Sequence, residues 1–83
     1  MSQETSIISY NSLNLGPRQH KILHCIKDMG CPTNLEISTF LNIPINQVTP
    51  RTNELVKLGL VVECEKRICS VSHRLAISWR VKN

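Results

Sequence analysis

The stretch Thr33–Val62, TNLEISTFLNIPINQVTPRTNELVKLGLVV, decides how the chain is read. Its first four residues, Thr33-Asn34-Leu35-Glu36, have the capping-box pattern, in which a Thr hydroxyl and a Glu carboxylate each satisfy a free backbone N–H at a helix start. A short helix is predicted from there to about Leu41, burying Ile37, Phe40 and Leu41, with Ser38 small enough to admit another helix. The turn Asn42-Ile43-Pro44-Ile45 ends it. Asn46 then reads as the cap of a further helix whose buried positions are Val48, Leu55, Val56 and Leu58, with Thr52 at the margin and Gly59 as a left-handed stop. With Asn46 as cap, Pro50 falls in the first turn, where its ring and missing N–H cost little against the ~3 kcal/mol of a helix interior.

Beyond Gly59 the apolar period changes to two. Leu60, Val62 and Cys64 alternate with Val61, Glu63 and Glu65, and Leu75, Ile77, Trp79 and Val81 alternate with Ala76, Ser78, Arg80 and Lys82, which predicts two half-buried antiparallel strands. Lys66 to Arg74 must connect them. That segment holds no Gly, Pro or Asn, so its turn type is not readable. Upstream, Pro17 suits a first helical position, and Ile22, Leu23, Ile26 and Met29 recur at helical spacing up to Gly30, which predicts a helix over Pro17–Met29. Residues 1–16, rich in Ser and Asn with Ile7, Ile8, Tyr10, Leu13 and Leu15 interspersed, read as a loose arm whose later part docks on a body formed by 17–83. The fold class is therefore α+β: three helices followed by a β-hairpin wing, in the order by which a helix-turn-helix feeds a winged-helix domain.

The 83 residues suffice for one domain with a small core, too small for a large active-site cavity. The formal charge is +4, and Lys66, Arg67, Arg74, Arg80 and Lys82 crowd the last quarter, where the wing lies. No apolar run has transmembrane length and the start lacks a signal-peptide pattern, so a cytoplasmic protein is expected, without membrane contact and with Cys25, Cys31, Cys64 and Cys69 reduced. Those cysteines with His20 and His24 lack the paired spacing of a structural zinc site, and neither metal nor cofactor is expected. Cys25 and Cys64 read as small core residues and Cys69 as a wing residue facing the body; a Cys64–Cys69 disulfide across the hairpin would require an oxidising setting. No phosphate loop, nucleophile elbow or Cys–His pairing appears, which argues against an enzyme. Trp79 reads as a core anchor.

Reading duplex DNA requires a rigid rod in the major groove with short polar side chains near its start and a basic element on the phosphates. The third helix supplies the rod. Its apolar set leaves Asn46, Pro50, Asn53, Glu54 and Lys57 opposite, flanked by Gln47, Thr49 and Arg51. Gln47, Arg51 and Asn53 are types that pair bidentately with purine edges, and Thr49 suits a phosphate or a thymine methyl. Lys66, Arg67, His73 and Arg74 are the wing candidates, placed to straddle a backbone or enter the minor groove. A solvated polar face is the plain alternative for both sets.

At these residues the sequence resembles the winged helix-turn-helix superfamily, the broad group containing MarR-like repressors. In TNLEISTFLNIPINQVTPRTNELVKLGLV with basic residues and AISWRV after it, it is similar to small stand-alone winged-helix proteins of phage and prophage genomes. The resemblance covers about Leu15 to Val81. It implies that Thr49, Pro50 and Arg51 open the recognition helix and that Arg67 and Arg74 belong to the wing; where many such sequences have glycine before the second wing arginine, this chain has His73. Z-nucleic-acid-binding domains are disfavoured, because Asn53 and Cys69-Ser70-Val71 stand where those have a helix Tyr and wing prolines. The function implied is sequence-specific double-stranded DNA binding by a transcriptional regulator; one such domain contacts only a few base pairs, so a homodimer on a two-fold site is expected where affinity is to be high. The competing expectation is a winged-helix protein-interaction module, a phage-encoded inhibitor or adaptor with a host protein partner.

Overall fold

Thr33 Oγ1 accepts the Glu36 N–H at 3.2 Å and Glu36 Oε1 accepts the Thr33 N–H at 3.0 Å, so the capping box closes as its sequence requires. In the computed structural model, which describes residues 15–82, this box starts the second of three helices: α1 (Pro17–Met29), α2 (Asn34–Leu41) and α3 (Ile45–Lys57). Four short strands follow, β1 (Val61–Glu63), β2 (Arg67–Ile68), β3 (Leu75–Ala76) and β4 (Trp79–Val81). The expected arm falls outside the described residues except for its last two.

α3 ends in a Schellman motif. Gly59 at φ 78° donates to the Val56 carbonyl and Leu60 to that of Leu55, both at 3.0 Å, and the chain turns directly into β1. The hairpin has two tiers. β1 pairs antiparallel with β4 in the register Val61↔Val81, Val62↔Arg80, Glu63↔Trp79, while β2 and β3 pair farther out as Arg67↔Ala76 and Ile68↔Leu75. Ser78 spans the break between the tiers: its carbonyl accepts from Cys64 N at 2.8 Å and its hydroxyl donates to the Glu65 carbonyl at 2.7 Å. The segment before α2 acts as an extra edge, since Thr33 bridges to Ser78 and Trp79 N donates to the Pro32 carbonyl at 2.9 Å.

The core lies where these layers meet. Ile22, Leu23, Cys25 and Ile26 of α1, Ile37 of α2, Ile43, Val48 and Leu55 around α3, and Leu60, Val61 and Trp79 of the hairpin are all buried. The α+β winged-helix architecture expected from the sequence is present.

Several finer expectations are corrected. Pro44, not Asn46, is the N-cap of α3, so Asn46 lies inside the first turn and Pro50 in the second. The helix tolerates the proline by leaving the Asn46 carbonyl without its i+4 amide partner on the exposed face. The buried stripe of α3 is narrower than expected: Val48, Thr52 and Leu55 fill it, whereas Val56 and Leu58 are exposed. Thr52 remains satisfied there because its hydroxyl donates to the Thr49 carbonyl at 2.9 Å. Phe40 is 66% exposed; it lies one turn along the same row as Glu36, and the wing residues Arg67 and Ser70 cover that row at Glu36. Met29 is exposed at the end of α1. In the hairpin Val61, rather than Val62, is the fully buried position. Leu75 and its cross-strand partner Ile68 are 64% and 60% exposed, because the outer tier projects beyond the body.

Candidate nucleic-acid interface

α3 presents its polar face to solvent. Asn46, Gln47, Pro50, Asn53 and Lys57 are exposed, and Thr49, Arg51 and Glu54 are half-buried. Three of these side chains are held. Arg51 pairs with Glu54, with Nη2 donating to Oε2 at 3.0 Å and Nε in ion-pair contact 2.9 Å from Oε1 without a hydrogen bond. Gln19 Nε2 donates to the same Glu54 Oε1 at 2.7 Å while its Oε1 accepts the Gly16 N–H at 2.9 Å, so one amide caps α1 and braces α3. Asn34 Nδ2 reaches Thr49 Oγ1 at a long 3.5 Å. Asn46, Gln47, Asn53 and Lys57 carry the free ends of the face.

The wing leaves the body as a tight loop. Cys69 N donates to the Arg74 carbonyl and His73 N to the Cys69 carbonyl, both at 2.9 Å. His73 sits at φ 59° in the left-handed region, the conformation that glycine adopts without penalty and that His tolerates better than most residues. The geometry expected of a glycine is therefore kept by His73. Lys66, His73 and Arg74 are exposed.

Arg67 is different. Its Nη1 donates to Glu36 Oε2 at 3.0 Å and its Nη2 to Glu36 Oε1, while Nε donates to the Cys31 carbonyl at 3.2 Å. The guanidinium is spent on the protein itself. Glu36 Oε2 also accepts from Ser70 N and Ser70 Oγ, each at 2.9 Å. With Arg67 beside it and these further donors, the buried Glu36 carboxyl is held down to about 2 despite the opposing effect of desolvation. The Arg67 guanidinium is pushed up in turn by the same carboxylate.

The first turn of α2 thus contacts both α3 and the wing. Thr33 Oγ1 lies 3.0 Å from Cys69 Sγ and Glu36 grips Ser70 on the wing, while Asn34 touches Thr49 on α3. Sequence reasoning missed Glu36 and Asn34 as organisers. The capping box accounts for one Glu36 oxygen only, and the second oxygen, with an arginine-rich segment downstream, was the available signal. Cys69 faces the body and is fully buried. Cys64 does not approach Cys69; its sulfur lies 2.9 Å from that of Cys31. No group of three or more potential metal ligands occurs among the described residues, nor does any described helix have the length and apolarity to cross a membrane.

An α2–turn–α3 pair followed by a two-tiered hairpin defines a winged helix-turn-helix fold. Solved structures share it: the adhesin competence repressor AdcR from Streptococcus pyogenes (21% identity, TM-score 0.66, 96% of this chain and 56% of that one), the multiple antibiotic resistance repressor MarR (20%, 0.69, 98% and 58%) and ZitR from Lactococcus lactis (22%, 0.67, 99% and 58%). At these identities the likeness establishes a MarR-like winged-helix fold. The chain spans 56 to 58% of the length of the structures it matches. No family model matches, and no curated protein matches.

Proposed function

We propose that this chain is a double-stranded DNA-binding protein acting in transcription regulation, with α3 in the major groove and the wing on the adjoining backbone. The observation that carries the reading is the uncovered polar face of α3, coupled through the first turn of α2 to a wing bearing Lys66 at its root and His73 and Arg74 at its tip. Two of the structural neighbours named above, AdcR and MarR, are named as repressors, which supports the same direction.

Gln47 and Asn53 offer amide groups to purine edges, and Thr49 offers a hydroxyl to a phosphate or a methyl contact to thymine. Arg51, oriented by Glu54, keeps part of its guanidinium free for a guanine edge. Pro50 shapes the approach and Lys57 reaches the backbone. On the wing, Lys66, His73 and Arg74 contact phosphates, and Arg67 positions the wing against Glu36. A single such module covers few base pairs, so tight binding calls for two copies on a two-fold site.

A gel shift against random duplex at low and at raised salt tests the reading. Binding at low salt that falls steeply as salt rises is expected. Absence of duplex binding at low salt would overturn it and leave the protein-interaction alternative.

A further inference from the structure

Four cysteines are present, and two of them meet. Cys31 lies in the α1–α2 loop and Cys64 directly after β1, and their sulfurs are 2.9 Å apart, roughly 0.9 Å beyond the ~2.05 Å of a disulfide bond. Both are half-buried, whereas Cys25 and Cys69 are buried. Neither partner can drift easily: Cys64 N donates to the Ser78 carbonyl at 2.8 Å, and the Cys31 carbonyl accepts Arg67 Nε at 3.2 Å. We propose that Cys31 and Cys64 form an oxidation site that reacts with hydroperoxides and closes to an intramolecular disulfide.

The two sulfurs have unequal roles. The Cys31 thiol beside Cys64 lowers the Cys64 pKa, the Glu65 backbone and Arg80 act in the same direction, and Cys31 is raised in exchange. Cys64 is thus the nucleophile and Cys31 the resolving thiol. The Cys64 thiolate attacks one peroxide oxygen, the O–O bond breaks, and hydroxide leaves and takes up a proton, giving a sulfenic acid at Cys64. Cys31 then attacks that sulfur, the S–O bond breaks, and hydroxide departs as water with the proton from Cys31. Two thiols lose two electrons and one hydrogen peroxide becomes two waters. Cys25 does not compete, because burial pushes its thiol up, and Cys69 is fully enclosed against Thr33. The new bond ties the α1–α2 loop to the root of the wing. The site stands independently of the duplex-binding reading.

The test treats the reduced full chain with hydrogen peroxide near neutral pH, then denatures, alkylates and weighs it. The expected product has lost two hydrogen atoms, retains two alkylatable thiols and yields one linked peptide joining Cys31 to Cys64. Its Tm rises by about 10 °C, reversibly with dithiothreitol. In Cys31→Ser the sulfenic acid at Cys64 persists and is trapped by dimedone, whereas Cys64→Ser leaves Cys31 unmodified. Four free thiols after peroxide, a linkage involving Cys25 or Cys69, or a bond between two copies would overturn the proposal.

Discussion

Glu36 carries more of this fold than its place in a capping box suggests. It accepts from the Thr33 amide, the Arg67 guanidinium and both polar groups of Ser70, so one buried carboxylate joins a helix start to a wing. Its pKa is depressed from 4.5 to about 2, so its contribution is present above pH 4.5 and is lost as pH falls toward 2. Because the Arg67 side chain is 40% exposed, the contribution is expected to be on the order of 2 kcal/mol rather than the full shift. Glu36→Gln should therefore lose about that much in urea unfolding at neutral pH, and the gap to the parent chain should close between pH 4.5 and pH 2. A gap that stayed constant with pH would show that the charge is irrelevant. His73 offers a second test at this scale. Its φ of 59° predicts that His73→Val costs about 1–2 kcal/mol in thermal unfolding while His73→Gly costs nothing or stabilises slightly; equal losses in both would contradict the assignment of strain.

At the level of elements, the proposed duplex binding divides between α3 and the wing. Lys66→Ala with Arg74→Ala should weaken binding to every duplex alike and reduce the salt slope by about 1–2, since each phosphate contact contributes roughly 0.9. Fluorescence anisotropy at several salt concentrations measures it, and an unchanged slope removes the wing from the interface. Arg51→Ala should instead relax preference at one base position by about 1–3 kcal/mol, read from competition among single-substitution duplexes. A uniform loss across all of them would make Arg51 a backbone contact. Much of this arrangement was legible in the sequence. The capping box, the Gly59 stop and the change of period each encode a local conformation, and local chemistry is what a sequence displays. Asn46 is the better capping type and so reads as the N-cap of α3, whereas the fold caps the helix at Pro44 and starts it at Ile45. Periodicity places Phe40 and Leu75 in the core, yet both are exposed, because it shows which residues share a face and not how far the neighbouring element extends over it. The engagement of Arg67 by Glu36, 31 residues away, and the Cys31–Cys64 contact, 33 residues apart, are long-range pairings that no local pattern announces.

For the whole molecule, the proposed duplex binding depends on one spatial relation. The first turn of α2 grips the wing on one side and touches α3 on the other, and the proposed function requires the polar face of α3 and the basic wing to form a single surface. A titration of isotopically labelled chain with random duplex, followed by nuclear magnetic resonance, observes that surface directly. The expected result is shifts at the side-chain amides of Asn46, Gln47 and Asn53 together with backbone shifts from Lys66 to Arg74, all reversed by added salt. Shifts confined to the opposite side of the molecule, or none at low salt, would contradict it.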